Sequence, residues 1–253
     1  MLAGRVVGMD LLTTAGRRRN ETAGFCSGAV FLFVTLCVAA ASAQEPPSPT
    51  QSKPNADHTL DVNWLYGAYI GKDVELRALT GQQRFKLYLR QTFTTPGIYA
   101  KTVLFTISDQ INDSPPEWGS DFGGFARRLG SREGQFVVQN SLTALGDAAL
   151  GYEPRYDRCR CSGFWPRTRH ALLRNFVTYN RTEKEMRPRI PLYAGAFGAG
   201  VVAGTWKPDN RDLLAEGYRG AITQVGFGCL ANWVGEFAPD IMRVLKRKKT
   251  SQP

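Results

Sequence analysis

Beyond residue 80 the apolar positions recur every three or four residues, the spacing of helices with one apolar face. Thr80 with Gln83 three residues on reads as a helix start closed by a capping box. Phe85, Leu89 and Thr92 then share one face, with Lys86 and Arg90 on another. Thr95 before Pro96 predicts a second start, with proline at the first helical position. Ile98, Val103, Ile107 and Ile111 carry that helix to Asn112, where the DSPP run at 113–116 breaks it. Residues 117–125 read as a loop or a closely packed helix, and 134–150 as a helix with Phe136, Val137, Leu142, Leu145 and Ala149 near one face. Glu153 before Pro154 forces a non-helical turn. Pro166 opens a helix over 167–179 with Leu172, Leu173, Phe176 and Val177 as its apolar stripe, and the polar, proline-interrupted residues 180–191 read as a loop.

Two later stretches have a different texture. Residues 193–204 hold four glycines and four alanines. Each glycine costs a helix about 1 kcal/mol relative to alanine, so the composition needs a packing reason. Ala196, Gly200 and Gly204 lie four apart, which lets helix backbones approach closely. A buried helix crossing another in a soluble core and a helix in a membrane both fit. In residues 220–237, Thr223, Gln224 and Asn232 argue against lipid on all sides. Val225, Phe227 and Cys229 alternate with Gly226 and Gly228, so a strand of the outer-membrane barrel type is an alternative there. The rest of the chain lacks the repeated alternation of a barrel. The expectation is a mainly α protein, a compact bundle of about five to eight helices with closely packed Gly/Ala-rich members.

The ends bound the domain. Arg17, Arg18 and Arg19 precede an apolar core at 28–41 and an Ala41-Ser42-Ala43 site, the layout of a secretory signal peptide over 1–43. That core is shorter than the roughly 20 residues of a bilayer span. Residues 44–60 are rich in Pro, Ser, Gln and Asn and read as a disordered linker. A single mainly helical domain then covers 61–249, with a tail at 250–253. From residue 239 a last helix is expected, with Ile241, Val244 and Leu245 on one face and Arg243, Lys246, Arg247, Lys248 and Lys249 on the other. Those cations fit a helix C-terminus, or a membrane surface carrying anionic lipid.

Charge narrows the partners. The chain has 32 basic and 22 acidic residues, a net charge of +10. Without the leader, which holds four of the former and two of the latter, the balance stays basic. For an exported protein this favours anionic lipid or an envelope polymer over nucleic acid. Three cysteines remain beyond the leader: Cys159, Cys161 and Cys229. In an oxidising compartment a bridge from Cys159 or Cys161 to Cys229 is the expected pairing, with one thiol left over.

The densest chemistry lies at 156–176, YDRCRCSGFWPRTRHALLRNF. Arg155, Arg158, Arg160, Arg167, Arg169, His170 and Arg174 stand among aromatic residues there, a composition suited to binding an anion. The same arginines could instead be bound by internal acids. Zinc is disfavoured by the C-x-C spacing and the flanking arginines. No nucleophile motif or metal-protease motif is present, so no catalytic residue, metal or cofactor is expected. A periplasmic hydrolase acting on an anionic substrate at 156–170 is the alternative.

The ordered series Glu117-Trp-Gly, Gly130-Ser-Arg, Glu153-Pro-Arg-Tyr, Gly163-Phe-Trp-Pro-Arg-Thr-Arg-His, Thr205-Trp-x-Pro and Glu236-Phe-x-Pro-Asp resembles a group of exported proteins found mainly in acidobacteria. The resemblance covers roughly residues 79–243. It implies a bacterial cell envelope, periplasmic or at the outer membrane, and carries no activity or site residue. The expected role is a membrane-associated envelope protein, structural or binding anions or lipid headgroups, and not catalytic.

Overall fold

The computed structural model describes residues 67–70, 77–208 and 212–250, with side chains to residue 243. The expected leader, linker and last residues, and the side chains of Lys246, Arg247, Lys248 and Lys249, lie outside the described residues. Among the described residues six helices dominate, with two pairs of short strands, so the protein is mainly helical.

The first two helices start where local chemistry sets them. In α1 (Gly81–Phe93), the Thr80 side chain accepts from the Gln83 N–H and the Gln83 side chain accepts from the Thr80 N–H, a complete capping box. Helix α2 (Pro96–Ile111) has proline at its first turn and Asn112 at its C-cap. A short 3-10 turn at Pro116–Trp118 leads to α3 (Phe122–Ala149), whose first turn is capped by Asp121 accepting from the Gly124 N–H at 2.7 Å. This helix begins twelve residues before the expected residue 134. Its glycine-rich start lacks an apolar signal because Gly124 lies against the backbone: a Cβ there would stand 2.2 Å from the Gly119 carbonyl oxygen.

Helix α4 (Phe164–Phe176) ends earlier than expected, because the chain turns into a hairpin. Strands β3 (Val177–Asn180) and β4 (Glu185–Pro188) pair antiparallel, where the end of a helix was expected up to Tyr179 and a loop from Asn180 on. Strands β1 (Tyr69–Ile70) and β2 (Tyr156–Asp157) pair in parallel. Helix α5 (Ile190–Gly204) follows. Then α6 (Leu213–Thr250) runs unbroken through Pro239, where two separate segments were expected. The barrel-strand alternative is overturned, since residues 225–229 are helical. Gly228 sits at a helix crossing: a Cβ there would stand 2.2 Å from Asn175 Oδ1 on α4, so the Asn175 side chain would have to move.

Helix α5 lies between α3 and α6, α1 and α2 pack on α3, and α4 packs on α6. The small residues of α5 permit this. Ala196, Ala199 and Ala203 are fully buried. A Cβ at Gly200 would stand 2.3 Å from the Glu216 carbonyl oxygen, and one at Gly220 2.5 Å from that of Ala196. The spacing of Ala196, Gly200 and Gly204 thus marks a close helix crossing.

Polarity runs opposite to that of an ordinary soluble bundle. The largest fully buried side chains are Arg128, Glu153, Glu236, Asn175, Asp147 and threonines, with Leu87 the one large apolar member. Large apolar residues face out. On α2 the face with Thr102 and Thr106 is buried, while Val103, Leu104, Ile107 and Ile111 (78 % exposed) are outside. On α4 the buried residues are Ala171, Arg174 and Asn175, while the expected apolar stripe at Leu172, Leu173 and Phe176 is outside, with Trp165 76 % exposed. On α6, Leu214, Tyr218, Ile222 and Val225 form an outward row.

Two glycine substitutions separate packing from propensity. Gly200→Ala is expected to lower the thermal unfolding midpoint, because it drives a Cβ into the α6 backbone. Gly130→Ala, on α3 with open space around the new Cβ, is expected to raise stability by up to about 1 kcal/mol. Circular dichroism melts of both variants check the pair.

Candidate anion-binding site

The arginine-rich segment is organised around two buried carboxylates. Glu153 accepts from Arg155 Nε at 2.6 Å and Nη2 at 3.0 Å, and from Arg181 Nε at 2.7 Å. Arg155 also donates to the Arg77 carbonyl at 2.6 Å. Burial raises the pKa of Glu153, but the hydrogen bonds from Arg155 and Arg181 outweigh it and hold the carboxyl below its ordinary value.

Glu236, fully buried on α6, is the second centre. Its Oε2 accepts from the Tyr156 hydroxyl and the Cys159 N–H, both at 3.1 Å. Its Oε1 accepts from Arg167 Nε at 3.0 Å. Arg167 also donates to Asp240 and to the Glu236 carbonyl, each at 2.6 Å, and lies 4.4 Å from the centre of the Phe237 ring. The last contacts tie down the turn ahead of Pro239, which has no N–H to continue the helix ladder. Burial, then the Glu236 charge, pushes the Tyr156 hydroxyl well above its ordinary pKa, so it stays protonated and donates.

The other expected residues are dispersed. Arg174, buried, pairs with Asp157 and donates to the Val177 carbonyl at 3.0 Å. His170 Nε2 meets the Asp157 carbonyl at 2.8 Å, and its ring stands edge-on to Tyr156. Arg158 is half-buried, and Arg160 and Arg169 are exposed. Arg155, Arg167 and Arg174 are therefore engaged by internal acids, and the seven residues do not line one pocket.

The cysteines also differ from expectation. Cys159 is bridged to Cys161, and Cys229 is a half-buried thiol within 3.4 Å of Asn175 Nδ2. Cys159 is held at Glu236, seven residues further along α6 than Cys229. That is about 10 Å of helix rise. A three-residue ring constrains the unfolded chain far less than the long loop expected.

A different cleft carries the accessible chemistry. Its floor is α3 and its walls are α2 and α6, enclosing a volume of about 420 Å³. Five cations line it, Lys101, Arg128, Arg132, Lys207 and Arg219, against the two carboxylates Asp109 and Glu216. Most are committed. Arg132 grips Asp109 bidentately at 2.6 and 2.7 Å. Arg128, 1 % exposed, ties together the loop between α2 and α3 through the carbonyls of Ser114, Pro115 and Gly119 and the side chains of Gln110 and Asp113. Glu216 receives both Lys207 and Arg219.

Lys101 is the exception. Its Nζ sits 4.4 Å from the Phe227 ring centre and 5.4 Å from that of Phe136. No described carboxylate lies within ion-pairing distance. Burial, then Arg132, lowers its pKa to about 8, against an opposing pull from Glu133. Nearby, Gln135 Oε1 is sealed from solvent and has no hydrogen-bond donor. Sequence reading passed over Lys101 because α2 drew notice for its apolar stripe. The signal available was Lys101, Phe105 and Asp109 at i, i+4 and i+8, a second face on the same helix.

Among the described residues, no three His, Cys, Asp or Glu side chains gather as a metal site. No family model, curated protein or solved structure matches the chain.

Two outcomes follow for these groups. Peptide mapping without reductant is expected to show Cys159 linked to Cys161, with Cys229 alkylated after denaturation; a Cys229 bridge would contradict the pairing. Lys101→Met is expected to raise the unfolding midpoint at pH 7, because a buried ammonium is replaced by an apolar side chain. The folded pKa of Lys101 lies below the unfolded one, so the unfolded chain binds more protons between them. Wild-type stability therefore gains from Lys101 as pH rises from about 8 toward 10.5. Melts of the variant across that range lack this gain.

Proposed function

We propose that the protein is an exported, non-catalytic component of a bacterial cell envelope that rests on a membrane surface and binds anionic headgroups or an envelope polymer. The observation that carries this reading is the inverted polarity of the bundle. Apolar residues shown to water on several helices are costly, and surfaces of this kind mark contact with lipid or partners. Phe164 and Trp165 stand exposed beside the exposed Arg160 and Arg169, an aromatic and cationic mixture suited to the headgroup boundary. The basic composition and the cations at 246–249 add attraction to anionic lipid. No helix among the described residues is long and apolar enough to cross a membrane, which agrees with a position on the bilayer and not through it.

The hydrolase alternative has less support. The Tyr156 hydroxyl is given to Glu236 and His170 to a backbone carbonyl, so neither is presented to a substrate.

Vesicle sedimentation tests the proposal. Binding is expected to vesicles containing phosphatidylglycerol and to be weaker on neutral ones. Removing residues 246–249 should weaken it at low salt by roughly 1 kcal/mol per cation. Trp165→Ser together with Ile222→Ser should weaken it at every salt concentration, since that part is apolar. A wild-type protein that stays in the supernatant with all vesicles overturns the reading.

A further inference from the structure

We infer that the cleft between α2 and α6 is a binding site for a small hydroxylated phosphate ester, with Lys101 as the seat of the phosphate. The inference stands apart from the membrane reading, because it rests on the cleft alone. The cleft is bounded by three helices and, at about 420 Å³, has the size of a small-molecule site. Lys101 brings a positive charge that no described carboxylate meets, held in place over Phe136 and Phe227. A lysine ammonium outside any described ion pair is suited to a phosphate as a point charge.

Polar side chains also line the cleft on two other walls, Ser131 and Gln135 on α3 and Thr223 on α6. Polar side chains on more than one wall suit a tetrahedral anion, whose oxygens radiate, better than a planar carboxylate. Gln135 Oε1 supplies the second requirement. A buried acceptor without a donor is costly, and a ligand hydroxyl would satisfy it. One ligand therefore has to bring both an anion and a hydroxyl donor. Glycerol phosphate is the simplest such molecule, free or as the headgroup of a phospholipid.

Calorimetric titration of the full chain with glycerol 3-phosphate tests this. Saturable binding is expected, with inorganic phosphate weaker because it leaves Gln135 unmet. Lys101→Met should lose about tenfold to a hundredfold in affinity, and Lys101→Arg should recover part of it. Gln135→Leu should bring glycerol 3-phosphate down to the level of phosphate. Affinity should fall as pH rises through about 8. Arg132 and Glu133 from α3, Asp109 from α2, and Arg219 and Glu216 from α6 are the charged neighbours. No heat with glycerol 3-phosphate, or an affinity unchanged in Lys101→Met, overturns the inference. If soluble glycerol 3-phosphate competes with phosphatidylglycerol vesicles, the ligand is a lipid headgroup; saturable binding without competition assigns a soluble ester.

Discussion

A carboxylate taken completely out of water must be met by donors, and Glu236 shows how much of this fold follows from that demand. Its charge is met by Arg167 from α4, the Tyr156 hydroxyl from β2 and the Cys159 N–H from the loop between them. One group on α6 thereby fixes three places that are distant in sequence. Glu153 does the same between Arg155 and Arg181, joining the end of α3 to the β3–β4 hairpin. Removing one partner of such a pair leaves an uncompensated buried charge, at a cost of about 3–5 kcal/mol. The arginines that invite a ligand reading are thus the counter-ions of the fold.

The close helix packing and the polar interior belong together. Where Gly200 and Gly220 bring α5 and α6 into backbone contact, there is no space for large apolar side chains. The interior fills with alanine, threonine and bonded polar groups, and the large apolar residues are left outside. Such a bundle gains less from burying apolar area than a Leu-rich core would. It depends more on hydrogen bonds, on small-residue contacts and on whatever covers its exterior.

The legible features were the local ones. Thr80 with Gln83, and Thr95 with Pro96, carry their helix starts within four residues, and the structure places α1 and α2 there. The small-residue spacing on α5 was equally clear, because it states the size of the contact directly. Periodicity gives which residues share a face but not which face turns inward, so the stripe on α4 was read correctly as a stripe without its outward direction. The β3–β4 hairpin was missed because EMRP has no apolar alternation; its strand state comes from pairing with VTYN. Lys101 was missed for a long-range reason. Its setting is made by Phe136 and Phe227, from two other helices.

The reversed polarity also redefines what counts as a conservative change. In an ordinary core, exchanging threonine for valine is an improvement in apolar fit. At Thr106 the hydroxyl donates to the Thr102 carbonyl in a fully buried position, so the same exchange alters the bonding of the interior. At Ile111 or Ile222, on the outside, leucine, methionine or phenylalanine would serve as well, because only contact with the surroundings is asked of them. Over many generations such a chain would drift freely among apolar residues on its exterior and stay strict about small and polar ones within.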